Sequence, residues 1–279
     1  MTSAWSSDIA RFWREYVPPC RPSRFDLDVC SNVANIIRED KKRRPDILIL
    51  GSTVEFRDWA FEEALRVTIV DSSPSFHSEI SRDRRYKYSE EFFMECRWEE
   101  LNVLAGYDLI VGDLVVGNVE PRDTDLFVRN LECALRPGGA FVTKSFFSSG
   151  REDIDLDQIF IEYEEKWSYL DPFPLLAYPL TLACMNHKTK MLKFRDMFAS
   201  VEQAHARGLI SENTFKRYSR FGWDGPGKIE FYVMLFSEWE DLLARHFSRF
   251  EKCLGRLCWQ KDFPVYVAWK GDGKKYERC

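Results

Sequence analysis

Along residues 46–71 the apolar positions change period twice, and each change marks an element. Ile47, Leu48, Ile49 and Leu50 form an unbroken apolar run, the pattern of a parallel strand covered on both faces. Gly51 interrupts it, and between Val54 and Leu65 the residues Phe56, Trp59, Ala60 and Ala64 recur at helical spacing among strong helix formers. Val67 to Val70 is a β-branched run that closes on Asp71. The pattern predicts a right-handed βαβ unit with a crevice at the carboxyl ends of its strands, where doubly wound folds hold their ligands. A carboxylate at Asp71 would stand at the second strand's tip, placed to accept from two ribose hydroxyls.

The alternation continues downstream. Ser72-Ser73-Pro74 starts a helix reaching about Ile80, Phe92-Phe93-Met94 forms a third strand, and Tyr107 to Gly112 forms a fourth that ends at Asp113. A helix over 124–135 presents Leu126/Phe127, Asn130/Leu131 and Ala134/Leu135, LRPGG ends it, and GAFVTKSFF is the fifth strand. Near the carboxyl end, Ser237 and Glu240 open a helix with a capping box, and 249–255 and 263–269 read as antiparallel neighbours. Upstream, a stripe at Trp5, Ile9, Phe12/Trp13 and Tyr16 stops at Pro18-Pro19, and 26–41 is a second amphipathic helix. The aromatic stripe serves either to pack onto the domain or to cover a substrate. Residues 151–228 exceed any simple crossover and hold helical patterns at 156–167, 190–206 and 211–221 around the proline-broken apolar run LDPFPLLAYPLTLAC. The expected fold is α/β: a doubly wound, mostly parallel seven-stranded sheet with a terminal antiparallel hairpin and a helical cap insertion. Its expected units are an N-terminal helical cap (1–45), a core (46–150 and 229–279) and the cap insertion (151–228), which would sit over the strand tips.

Composition narrows the partners. With 45% hydrophobic and 30% charged residues the chain reads as an ordinary globular protein, and a net charge of −5 argues against general attraction to nucleic acid or anionic membrane. The second half of the insertion is locally basic (Lys188, Lys190, Lys193, Arg195, Arg207, Lys216, Arg217, Arg220), as a solvated helix face or a surface for an acidic substrate. Eight scattered cysteines without a CxxC pair suggest reduced thiols, and no metal centre is expected. Asp8, Arg11 and Arg14 fall where a signal peptide would be apolar, so a cytoplasmic location is expected.

The turn after the first strand carries one glycine where a dinucleotide fingerprint has three, which disfavours a pyrophosphate cradle. Ser52-Thr53-Val54-Glu55 reads either as a capping box or as hydroxyls and a carboxylate lining a pocket for an adenosyl ligand with a zwitterionic tail. The succession strand, Gly51, helix, strand, Asp71, together with strand, Asp113, helix, LRPGG, strand and the final hairpin, resembles class I S-adenosylmethionine-dependent methyltransferases over 46–144 and 237–270. The resemblance implies S-adenosyl-L-methionine as cofactor, met by Gly51, Ser52, Thr53, Glu55, Asp71, Ser72, Arg97, Trp98, Asp113 and Leu114. Trp98 would stack on the adenine or simply fill a gap, and Arg97 stands where many family members carry an acid. Trp13, Tyr16 and Arg21 are the candidate substrate residues. GGAFVTKSFF also resembles the lysine-bearing segment of the heat-shock-type ribosomal RNA 2′-O-methyltransferases, which makes Lys144 and Asp113 the catalytic candidates; otherwise Lys144 is a surface cation at a strand end. The expected activity is methyl transfer to a small molecule. An RNA 2′-O-methyltransferase, or a non-catalytic protein with this fold, is the alternative.

Overall fold

A computed structural model describes residues 10–11, 13–86, 90–150, 154–220, 229–257 and 259–271. Its centre is a seven-stranded sheet of β1 (Asp46–Leu50), β2 (Arg66–Asp71), β3 (Phe92–Glu95), β4 (Tyr107–Asp113), β5 (Leu135–Lys144), β6 (Arg249–Cys253) and β7 (Val265–Trp269). The order across the sheet is β6-β7-β5-β4-β1-β2-β3. The first five strands are mutually parallel, and β7 runs antiparallel to both β5 and β6. Ile47, Leu48, Ile49, Leu109, Ile110 and Val111 have no exposed surface, because helices cover both faces of β1 and β4.

Helix α1 (Arg24–Lys41) and helix α2 (Val54–Glu62) lie on one face, where Val33, Ile37, Phe56 and Trp59 pack against Ile47, Ile49 and Val142. Residues 24–41 are thus a layer of the core, although the expected division of the chain had grouped them with an N-terminal cap of 1–45. The opposite face takes α4 (Thr124–Ala134) and α9 (Phe236–His246), through Phe127, Leu131, Trp239 and Leu243. Leu126, expected in the apolar stripe of α4, faces outward at 40% exposure; Phe127, Val128, Leu131 and Ala134 form the buried face. The short α3 (Pro74–Ile80) follows β2, with Ser73 Oγ accepting from Phe76 N as the serine-proline start requires.

Two local motifs resolve differently from their sequence signatures. LRPGG is not a turn but the first half of β5, its register stepping from Tyr107/Leu135 to Leu109/Ala140. A Cβ on Gly139 would stand 2.8 Å from the Asp108 carbonyl oxygen, so only glycine lets β5 close onto β4 there. At the start of α9, the backbone N–H of Leu235 donates to Glu238, so the cap lies two residues before the expected Ser237-Glu240 box.

The insertion holds α5 (Leu156–Trp167), α6 (Pro172–Cys184), α7 (Phe194–Ala206) and α8 (Glu212–Ser219), plus a ribbon pairing Met191–Lys193 with Glu230–Tyr232. The run expected to be broken by prolines is one continuous helix through Pro179. An interior proline costs about 3 kcal/mol, and the burial of Phe173, Leu176, Leu180 and Leu182, each worth about 1.5–3 kcal/mol, exceeds it. The expected helix at 5–16 falls largely outside the described residues; Trp13–Glu15 is a single 3₁₀ turn. Among the described residues no helix is long and apolar enough to cross a membrane.

At the amino ends of the strands, Asp108 has no exposed surface and accepts from Lys41 Nζ (2.8 Å), Arg43 Nη2 (2.8 Å), Arg136 Nη1 (2.9 Å) and the backbone N–H of Asp46 (2.9 Å). Burial alone would raise its pKa; the Asp46 N–H and the Lys41 and Arg43 cations outweigh it and hold the carboxyl below the usual range. This one carboxylate joins the end of α1 to β1, β4 and β5. Asp108→Ala is expected to lose about 2–3 kcal/mol, the scale of hydrogen bonds to a charged group, because the three cations are part-exposed and regain water. Urea unfolding with an unchanged slope and a lower midpoint would register the loss.

Candidate functional site

The parallel strands end together at Leu50, Asp71, Asp113 and Lys144, and two polar groups form there. The first surrounds the turn after β1. Gly51 takes φ +83, a left-handed conformation that glycine adopts freely, and its N–H donates to Val70 O at 2.8 Å. The Trp98 indole lies against it: its ring would stand 3.5 Å from a Cβ at Gly51, and its Nε1–H donates to Val70 O at 3.0 Å. Asp71 accepts from Ser52 Oγ through one carboxylate oxygen (2.8 Å) and from Ser73 N through the other (2.9 Å). Burial pushes the Asp71 pKa up, and the hydrogen bonds from Ser52 and Ser73 work against that rise.

Ser52 therefore does not cap α2. Thr53 holds the N-cap position without a side-chain bond, and Glu55 turns elsewhere, so the capping-box reading of 52–55 is overturned. The serine instead has a partner nothing in the sequence singled out: His77 Nδ1 lies 3.0 Å from Ser52 Oγ. The imidazole lies against Phe93, ring centroids 4.2 Å apart and planes tilted by 32°, and faces Glu91, 4.0 Å from its Nε2. Glu91 in turn binds the buried guanidinium groups of Arg57 and Arg84. The one available signal was position: His77, one of only four histidines, stands six residues after the strand-tip carboxylate.

Burial, then the positive charge of Arg57, lowers the His77 pKa from 6.5 to about 4. Between those values the unfolded chain binds a proton that the folded chain refuses, so this group's stabilisation is full above pH 6.5 and is lost as pH falls towards 4. Asp113, described next, slopes the other way over an overlapping window. The informative quantity is therefore the difference between two proteins: His77→Asn is expected to lose less stability than wild type between pH 7 and pH 5, read by urea midpoints at each pH.

The second group joins the tips of β4 and β5 to the N-terminal segment. Lys144 Nζ donates to Asp26 Oδ2 (3.0 Å), Arg21 O (3.0 Å) and Asp113 Oδ1 (3.2 Å), so three N–H bonds meet three acceptors. Its side chain is 2% exposed, which removes the reading of a surface cation. Burial raises the Asp113 pKa to about 7, against the lowering effect of Lys144, and Asp26 and Glu55 add to the rise. Burial also pushes the Cys20 thiol beside this pair up to about 12. Leu114, at φ +56, donates its N–H to Lys144 O at 2.8 Å and packs into the apolar cluster above.

Trp13, Tyr16 and Cys20 share that cluster with Val54, Phe76 and Leu114 at the strand tips and with Phe160, Phe173 and Leu180 of the insertion. Trp13 meets Tyr16 and Phe76 edge to face, and its Nε1–H donates to Glu55 at 3.3 Å. Glu55 also forms an ion pair with Arg21. The candidates thus fall into three sets: Gly51, Ser52, Asp71 and Trp98; Glu55, Arg21, Trp13 and Tyr16; Asp113, Leu114 and Lys144. Arg97, bound to Glu99, and Thr53, buried at the head of α2, stand apart, whereas Ser72 is exposed but its backbone N–H acts on Asp71. An open groove of about 370 Å³, lined by Ile36, Asp40, Arg249 and Trp269 among others, lies at the opposite end of the sheet and contains none of the candidates.

This strand order, with one antiparallel strand between the fifth and the sixth, is the class I methyltransferase fold. No protein-family model matches the chain, and no curated protein does. Among solved structures, it is similar to a Rhodobacter sphaeroides protein provisionally described as a zinc-dependent alcohol dehydrogenase: 18% identity, TM-score 0.52, over 95% of this chain and 99% of the other. It is similar to the PH0226 protein of Pyrococcus horikoshii at 13% identity and TM-score 0.52, over 94% of this chain and 98% of that one. A looser likeness, 15% identity and TM-score 0.46 over 95% and 88%, is to the Burkholderia thailandensis 1,6-didemethyltoxoflavin-N1-methyltransferase. At these identities the similarity concerns the fold. Among the described residues no group of three or more His, Cys, Asp or Glu is placed to hold a metal ion.

Proposed function

We propose that this chain is an S-adenosylmethionine-dependent methyltransferase acting on a small molecule. The observation that carries the reading is Asp71, a buried carboxylate at the tip of β2 beside the left-handed turn at Gly51. Ser52 Oγ and Ser73 N bond to its two oxygens, and the backbone N–H groups of Ser52 and Ser72 also act on it, so the carboxylate that a pair of ribose hydroxyls would meet is ionised and held in place. Trp98 offers an indole face next to that position. Arg21 and Glu55, now paired with each other, have the charges a zwitterionic amino-acid tail requires, so taking up such a tail exchanges one ion pair for two.

The bound sulfonium would supply an electrophilic methyl group. The protein's share of such a transfer is alignment and exclusion of water, and proximity can contribute about 7–11 kcal/mol. The aromatic cap over the strand tips suits both tasks and favours a small, apolar acceptor. A pKa near 7 would suit Asp113 to accept a proton, provided that Lys144 releases it.

A second reading, a non-catalytic protein with this fold, is favoured by one feature: Trp13 and the Arg21–Glu55 pair close the crevice. Calorimetry with S-adenosylhomocysteine separates the two. Saturable one-to-one binding supports the methyltransferase reading, and its absence at millimolar ligand sinks it. Salt-dependent retention on RNA would move the acceptor to nucleic acid.

A further inference from the structure

Behind Asp71 lies a line of hydrogen bonds whose direction is set by proton counting. Ser52 has a single hydroxyl proton, which it gives to the Asp71 carboxylate at 2.8 Å. Its oxygen can then only accept from His77, 3.0 Å away, so the imidazole carries its proton on Nδ1. Phe93 packs against one side of the ring, and α3 carries its backbone. Ser52 has 1% of its surface exposed, so water cannot substitute for either partner.

We propose that His77 is a positioning residue for the ribose-binding carboxylate: through Ser52 it fixes Asp71 in one orientation, ready for the two hydroxyls. The assignment rests on the methyltransferase reading and goes beyond it, naming what sets the site's preference for an intact ribose. A carboxylate held before the ligand arrives loses no side-chain freedom on binding, and every hydroxyl contact keeps its full value. Without the donor from His77, the Ser52 hydroxyl keeps one partner instead of two, and Asp71 is oriented by the backbone N–H groups and a more loosely held hydroxyl.

The test compares S-adenosylhomocysteine with its 2′-deoxyribose analogue by calorimetry, on wild type, His77→Phe and His77→Asn. Phenylalanine keeps an aromatic contact with Phe93 and removes the donor; asparagine restores one. Wild type should prefer the intact ribose by about 10-fold or more, one hydrogen bond to a charged group. In His77→Phe that preference should shrink to about 2- or 3-fold, and in His77→Asn most of it should return. A merely structural role for His77 would weaken both ligands equally and leave the ratio unchanged, which would overturn the proposal. Failure of wild type to bind either ligand overturns the methyltransferase reading itself, a distinguishable result. Should His77→Phe fail to fold, judged by its thermal transition, an unchanged ratio in Ser52→Ala overturns the proposal equally well.

Discussion

Lys144→Met should destabilise the fold by about 3–5 kcal/mol, the usual consequence of removing one member of a buried ion group. The ammonium stands between Asp26 and Asp113, whose side chains are 5% and 4% exposed, and water does not reach them to replace it. Two carboxylates would remain facing each other, and one of them would have to take up a proton near neutral pH. Burial already lifts Asp113 to about 7 with the lysine present, so that proton would settle there. Adding Asp113→Asn to Lys144→Met should therefore recover part of the loss. Chemical denaturation of the single and the double variant is the measurement, and a Lys144→Met stability within about 1 kcal/mol of wild type would mean that the lysine clamps nothing.

Asp71→Ala is expected to weaken S-adenosylhomocysteine by roughly 50- to 100-fold. Two hydroxyls on an ionised acceptor are each worth about 1.5–3 kcal/mol at most, and some of that is recovered by water entering the space. Asp71→Asn, which keeps one oxygen acceptor, should lose less. Thermal unfolding separates this from misfolding, since Ser73 loses a partner but still caps α3 through Phe76 N. Calorimetric affinity within a factor of three of wild type would remove Asp71 from the ribose.

How much of this was legible in the chain depends on the range of the interaction. The strands were plain because burial on both faces writes continuous apolar runs, as at Ile47–Leu50 and again over 107–112. Gly51 and Asp71 were legible as a pair because strand, helix and strand fix their separation. Ser52 was open to misreading, since a capping box is recognised from four neighbours and its true partner is 19 residues away. The periodicity of 24–41 announced an apolar face without saying what it covers, and the sheet proved to be the answer. Lys144 was noticed by resemblance, but its partners Asp26 and Arg21 are 118 and 123 positions distant, beyond any local pattern. The same holds for Arg57, Arg84 and Glu91, ordinary surface residues by type that are drawn inward by one another.

The 118-residue separation between Asp26 and Lys144 bears on how the chain is born. Synthesis proceeds at about 5–20 residues per second, so about 6 to 24 s pass between the making of Asp26, in helix 24–41, and the making of its lysine. Throughout that interval Val29, Val33 and Ile37 have no complete sheet to lie on. The nascent chain thus carries an unpartnered greasy helix near its start, a natural client for a holding chaperone. Speeding translation across 42–144 should raise the yield of native protein when such help is scarce.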